Sequence, residues 1–322
     1  MREIEFLHQN SARWKKFELL LNKRYEAHPD DLAALYIEVT DDLAYAQTFY
    51  NGSRTTQYLN QLAAKVHHII YSTKREDKSR ILVFWSKELP LIFYRTRKEF
   101  LYAFLIFISA ITIGVLSAAH DEGFVRVILG EKYLNMTMEN IKSGEPFAVY
   151  RSMRSLDMFF GITINNIIVS FSTFIAGIAL SLGTAFYLFY NGIMLGVFHY
   201  VFFQHELLQS SLLTVFIHGT LEISAIIIAG GAGMVMGNSL LFPKTYTRGY
   251  SFMKGAAQGI KIIVGLIPLF VIAGFLEAFV TRLAGLPLLI NMAIIILSLF
   301  FVIWYFVLYP SHINKLGDHE VT

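Results

Sequence analysis

Residues 212–236 read LLTVFIHGTLEISAIIIAGGAGMVM. Glu222 is the only formally charged residue in this run. About 20 apolar residues cross a hydrocarbon core of roughly 30 Å as a helix, so the stretch is long enough to span a bilayer. Working outward, runs of the same kind lie at 100–119, 158–180, 184–203, 262–280 and 286–308. The whole chain is 55% hydrophobic and only 16% charged, with a mean hydropathy of +0.49. Soluble domains carry about 25% charged residues, so this chain has too little polar surface to cover a water-soluble globule. The expected fold is all-α: a polytopic membrane protein of about six transmembrane helices, with a soluble helical domain ahead of them.

Charge distribution marks that domain. Residues 1–98 hold 16 Lys and Arg and 12 Asp and Glu, the density of a solvated domain. Trp14, Phe17, Leu20 and Leu21 recur at helical spacing, as do Leu32, Leu35, Tyr36, Val39 and Leu43, and then Tyr58, Leu62 and Val66. Pro29 with Asp30 and Asp31 supplies a break and an acidic first turn between the first two helices. The predicted organisation is a cytoplasmic helical domain over 1–98, a transmembrane bundle over 99–310 and a cytoplasmic tail over 311–322. Within the bundle, 120–157 is expected to be extracytoplasmic. Its mixed charges are interrupted by Phe124, Val127, Ile128, Tyr133 and Ile141, which predicts amphipathic helices on the membrane surface or on the bundle. Asn135-Met-Thr137 within it fits a glycosylation sequon.

Six spans place both termini on one side. Arg95, Arg97 and Lys98 flank the first span, Lys244, Arg248 and Lys254 lie between the fourth and fifth, and Lys315 follows the last. Positive loops stay in the cytoplasm, so both ends are expected there. Residues 1–20 contain charges where a signal peptide would need its apolar region, so no cleavable signal is expected. The joint at 181–183 is uncharged, and whether it crosses or re-enters is left open by the sequence. A net charge of +3 without a clustered basic face argues against a nucleic-acid partner. With no cysteine, disulfides, thiolate metal sites and a Cys nucleophile are excluded.

Only three acidic residues occur between 158 and 310: Glu206, Glu222 and Glu277. Glu206 falls in the polar turn Gln204-His205-Glu206, and Glu277 lies near a span end beside Arg282, so both are expected to reach water. Glu222 is close to the middle of its span. An ionisable group at that depth costs roughly 2.5–3.5 kcal/mol on insertion scales and usually faces the bundle interior with a partner. His218, one helical turn earlier, supplies one. The same helix carries Ala225, Ala229, Gly233 and Gly237 at four-residue spacing, with Gly219 beside them, a face that lets another helix approach closely. His218 points within about 20° of Ala225 and Glu222 within about 60° of it. The pair is therefore expected to face a packed helix. The third span offers Gly192, Gly196 and His199 on one stripe with Asn191 beside them, and the second offers Asn165 and Asn166.

Three readings of this polar cluster follow: a hydrogen-bonded knot that sets helix register, a proton- or ion-linked transport site, or an intramembrane hydrolase or metal centre. A zinc enzyme needs three protein ligands and an activated water. His218 and Glu222 supply two, with His199 the only third on offer, so neither a metal nor another cofactor is assigned. HExxH, GxSxG and glycine-rich phosphate loops are all absent, and no catalytic residue is expected.

Asn191-Gly192-Ile-Met-Leu-Gly196, followed by His218-Gly219-Thr-Leu-Glu222-Ile-Ser-Ala225, resembles the stage II sporulation protein M family. Ser11-Ala-Arg-Trp14, Leu35-Tyr36 with Asp41-Asp-Leu-Ala44, Tyr58-Leu-Asn60-Gln-Leu-Ala-Ala-Lys-Val-His67 and Pro90 extend the likeness over nearly the whole chain. The resemblance implies a bacterial inner-membrane protein that recruits partners, since the namesake in spore-formers gathers peptidoglycan-degrading proteins during engulfment. That namesake is shorter and lacks a domain like 1–98. The longer form occurs widely in bacteria that never sporulate. The expected function is a non-enzymatic scaffold of the cell envelope in contact with lipid and with other envelope or membrane proteins. The alternative is a transporter or channel built on His218 and Glu222. The Gly- and Ala-rich seams also suggest a capacity for homodimerisation.

Overall fold

The computed structural model describes residues 1–22, 29–71, 79–151, 154–283 and 286–319, with no strand among them. The chain divides into two compact units, Met1–Arg80 and Ile81–Thr322.

The first unit consists of α1 (Glu3–Asn22), α2 (Pro29–Phe49) and α3 (Arg54–Tyr71). Phe6, Trp14, Phe17, Val39, Ala46, Leu59, Leu62 and Ala63 form its core, and Tyr36, Leu43 and Tyr58 pack on its rim. Periodicity thus identifies half of the core and passes over Phe6, Ala46, Leu59 and Ala63. The side chains of Leu20, Leu21, Leu32, Leu35 and Val66 lie outside the described residues. Trp14 donates its indole N–H to Asp42 Oδ2 at 2.8 Å, and Arg13 Nη2 reaches the same oxygen at 2.5 Å. The Arg-Trp and Asp-Asp signatures, nearly thirty positions apart, are therefore two halves of one contact. Trp14→Ala, which removes a buried indole and one of the two donors to Asp42, is expected to cost about 3–5 kcal/mol. Loss of protease resistance in residues 1–80, with the membrane unit still intact, is the measurement that checks it.

The second unit opens within α4 (Ser79–Val83), followed by a π turn over Phe84–Glu88 and α5 (Leu89–Arg95). Six long apolar helices follow: Arg97–His120, Ser155–Ile178, Leu182–Gln204, Leu208–Leu241, Arg248–Thr281 and Leu288–Lys315. We label their regular α-helical parts α6 (Arg97–His120), α9 (Ser155–Ile175), α10 (Leu182–Gln204), α11 (Leu208–Leu241), α12 (Arg248–Phe275) and α13 (Leu288–Ile303), with α14 (Tyr309–His319) last. Between the first and second spans lie α7 (Glu122–Leu129) and α8 (Glu131–Lys142). Every expected span is present. Most are longer than hydropathy alone suggests, because their ends run on into polar residues.

α11 is the hub. It has 34 residues, about 50 Å of helix, and α6, α9, α10, α12 and α13 all pack on it. Large apolar side chains point outward around the bundle, including Leu101, Leu105, Ile168, Phe186, Leu289 and Phe300. Such a surface suits hydrocarbon rather than water.

The small-residue faces are used inside the chain, and their pairing differs from the expected one. The Gly192–Gly196 stripe of α10 does not meet α11. A Cβ at Gly192 would strike Ala110 and the Phe107 carbonyl of α6, and one at Gly196 would strike the Ile111 carbonyl. Gly114 returns the contact against the backbone of Ile193. On α11, Gly233 lies against Thr184 and the carbonyls of Thr173 and Phe174, while Gly237 lies against Ser181 and Gly177. Ala225 and Ala229 are fully buried. Gly219 is buried too, but a Cβ there would meet only side chains of its own helix. Gly192, Gly196, Gly233 and Gly237 thus pack against other elements of the same chain.

The joint after α9 is tight: a 3-10 turn over Ala176–Ile178, then Leu180 and Ser181 with φ of 52° and 67°, then α10. Ser181 is held there by its hydroxyl, 3.2 Å from Asn238 Oδ1. On either side stand helices of 24 and 23 residues, each long enough to cross.

The charge-based boundary at residue 98 does not coincide with the division at Arg80. Leu89, Ile92 and Phe93 belong to the core of the second unit, and Lys261 of α12 pairs with Glu88. Charge density counts Lys87, Glu88, Arg95, Arg97 and Lys98 and misses the apolar turns of α5 between them.

Candidate functional site

His218 and Glu222 share one face of α11, as their spacing requires. The imidazole, however, does not hydrogen-bond to Glu222. Its Nδ1 lies 3.1 Å from Thr281 Oγ1, and its Nε2 lies 3.8 Å from Glu277 Oε2. Both residues come from the π turn Leu276–Thr281 that continues α12. π turns widen a helix locally and often mark functional positions. The expectation that Glu277 reaches water beside Arg282 is therefore corrected. Its side chain is only 13% exposed, and Arg282 Nη1 donates to Ser155 Oγ at 2.9 Å. One candidate ligand atom each from His218, Glu222 and Glu277 lie within 4.8 Å of one another.

These groups sit beside a cavity of about 500 Å³ whose walls include Glu222, Glu277, Asn165, Asn166, Tyr133 and Tyr150. At its other end lies Asp157, half-exposed at the start of α9. The cavity thus runs from the 121–157 side of the bundle down to Glu222. The connecting segment covers it. Val125 of α7 and Leu134 of α8 are buried with Ala118, Val197 and Val201, so these amphipathic helices pack on the bundle. Val127 points away and is 79% exposed. Thr137 is buried and donates to the Tyr133 carbonyl at 2.9 Å, which places the sequon inside a packed helix. Tyr150 meets the His218 ring edge-on at 5.9 Å. Burial, followed by the acidic Glu277, holds its phenol well above the usual tyrosine range.

The other sequence candidates divide. Asn165 and Asn166 join the cavity, and the Asn166 amide nitrogen is buried without a hydrogen bond of good geometry. His199 does not join: its Nδ1 is 3.0 Å from Ser211 Oγ, and its ring stacks on Phe216. Asn191 donates to the Tyr187 carbonyl of its own helix at 2.8 Å. The third member of the cluster is therefore Glu277, not His199. Sequence reasoning also passed over Tyr150. The scarcity of acidic residues in the spans was the signal that could have promoted Glu277.

The fold and site define a polytopic helical membrane protein with an acid-lined cavity beneath a folded connecting segment. The family model described as Stage II sporulation protein M matches residues 103–282, more than half of the chain. The chain belongs to the stage II sporulation protein M family. Residues 4–72 match a second family, described as a domain of unknown function (DUF8413). No curated protein and no solved structure matches the chain.

Proposed function

We propose that this protein is a non-enzymatic scaffold of the bacterial cytoplasmic membrane that recruits partner proteins, with both termini in the cytoplasm. The observation that carries the reading is a close-packed layer across the middle of the bundle. On one side of it lies the Glu222 cavity. On the other lies a smaller one lined by Arg95, Glu99, Asn238, Lys254 and Gln258. Between them Ala225, Ala229 and Ala232 are fully buried, and Gly177 and Gly233 bring their backbones together. No polar side chain bridges this layer along α11, so the rigid bundle suits a shape-holding role better than solute passage. A separate compact helical unit at 1–80 supplies a second surface for a partner.

Affinity purification from crosslinked native membranes tests the reading. A partner in near-equal amount, lost when residues 1–80 are removed, is the expected result. Purification of the chain alone, together with ion or proton flux in vesicles that Glu222→Gln abolishes, would replace recruitment with transport.

Orientation is checked by labelling, which a chain without cysteine makes clean. Lys142→Cys should react with an impermeant maleimide in intact cells. Lys244→Cys and Lys315→Cys should react only after permeabilisation. The opposite pattern would invert the topology.

A further inference from the structure

We propose that His218, Glu222 and Glu277 bind a divalent transition-metal ion of the zinc class. The inference is independent of partner recruitment, because metal content is read on the purified chain alone.

The donor set is one imidazole nitrogen and two carboxylates. Zinc and its neighbours accept such mixed nitrogen and oxygen ligands, whereas calcium and magnesium prefer oxygen throughout. The imidazole is oriented for the task. Thr281 Oγ1 holds Nδ1 at 3.1 Å, leaving Nε2 facing Glu277. Metal-binding histidines are commonly fixed by a hydrogen bond at the other ring nitrogen.

Distances fit after small movements. Ligand atoms on a tetrahedral zinc at about 2.1 Å lie roughly 3.4 Å apart. Here the His218–Glu277 separation is 3.8 Å and the widest in the set is 4.8 Å. Shifts of under about 1 Å, within reach of carboxylate rotation, close the gap.

Charge supplies the second argument. Two acids sit in the apolar bundle, and the basic side chain found beside Glu277 among the described residues is the imidazole of His218 at 3.8 Å, which carries charge only when protonated. Buried carboxylates call for a compensating cation, and a divalent ion between them provides it.

The third argument is Asn166. It is 6% exposed and lines the same cavity as Glu222 and Glu277, and its buried Nδ2 lies beside the Glu222 carboxyl without a hydrogen bond of good geometry. A water or anion on the metal's fourth position would accept from it. Three protein ligands plus one position open to a cavity is the arrangement zinc sites use when they hold an exchangeable ligand.

The test uses the full chain, purified in mild detergent through a tag without histidine, from cells grown in medium supplemented with zinc. Elemental analysis is expected to give about one zinc per chain. Glu222→Gln and Glu277→Gln should each fall below roughly a tenth of that, while His199→Ala keeps it in full. Wild-type protein depleted by a chelator and refilled with Co²⁺ should show visible d–d absorption that one equivalent of Zn²⁺ erases. That readout needs no variant, so it decides the matter even if the Gln variants fail to fold. Background metal in the wild type with no Co²⁺ spectrum overturns the proposal, as does a folded Glu277→Gln that binds as much zinc as the wild type.

Discussion

Gly177→Val should abolish the folded bundle. Gly177 is buried in the turn after α9, and even a single Cβ there would collide with the backbone of Gly233 on α11. Side-chain collisions are relieved by rotamer changes, but a carbonyl can yield only if the two helices separate. Separation here also pulls Gly237 from Ser181 and opens the layer containing Thr184, whose hydroxyl donates to the Thr173 carbonyl at 2.7 Å. Overpacking typically costs 1–3 kcal/mol where neighbours can adjust. With backbone on both sides, a loss of about 3 kcal/mol or more is expected. Size-exclusion chromatography in mild detergent, with a thermal melt, reads the outcome. Gly161→Ala is the control: it lies on α9 with open space around the added carbon, and Ala is the better helix former. A Gly177→Val protein as monodisperse and heat-resistant as the control would mean that this contact is not a constraint.

The second large effect separates two deletions that differ by only 18 residues. Removing 1–80 should leave the membrane unit folded, whereas removing 1–98 should destroy it. Leu89, Ile92 and Phe93 are buried against a core that includes Ala229, Leu266 and Phe270, and Gly265 of α12 leaves the space that Leu89 occupies. Truncating one large buried side chain costs roughly 2–5 kcal/mol. Losing three approaches the whole stability of a typical domain, about 5–15 kcal/mol. The longer deletion also strands polar groups: Tyr305 and Tyr309 donate their hydroxyls to the carbonyls of Trp85 and Ser86 at 2.7 and 2.9 Å, and Lys261 loses Glu88. Equal monodispersity of the two truncated proteins would show that 81–98 is dispensable to the bundle. The partner-capture experiment therefore requires the deletion to stop at residue 80.

Much of this architecture is legible in the one-dimensional text. The six spans, the helical character of the first unit and the one-turn spacing of His218 and Glu222 are each contained in a single helix. Bilayer thickness sets the length of an apolar run, and helical pitch sets which residues share a face. The polar cluster was only half legible. His218 and Glu222 announce themselves as polar residues deep in an apolar run, but Glu277 stands near a span end, where an acid ordinarily reaches water. Its inward turn comes with the π segment that continues α12.

What the tertiary structure alone decided is which faces meet. Gly192 and Gly196 look equally suited to α6 or α11, because a stripe of small residues carries no address. α6 takes them through the reciprocal fit of Gly114 on Ile193. The same holds for α5, whose flanking charges read as soluble until the pocket left by Gly265 is seen. The same is true of Tyr150, brought onto His218 by a connecting segment some 70 positions away in the chain. Hydropathy and periodicity are properties of one helix in its solvent. Partner choice is a property of two surfaces and of the space between them, and it is expressed only when both are in place.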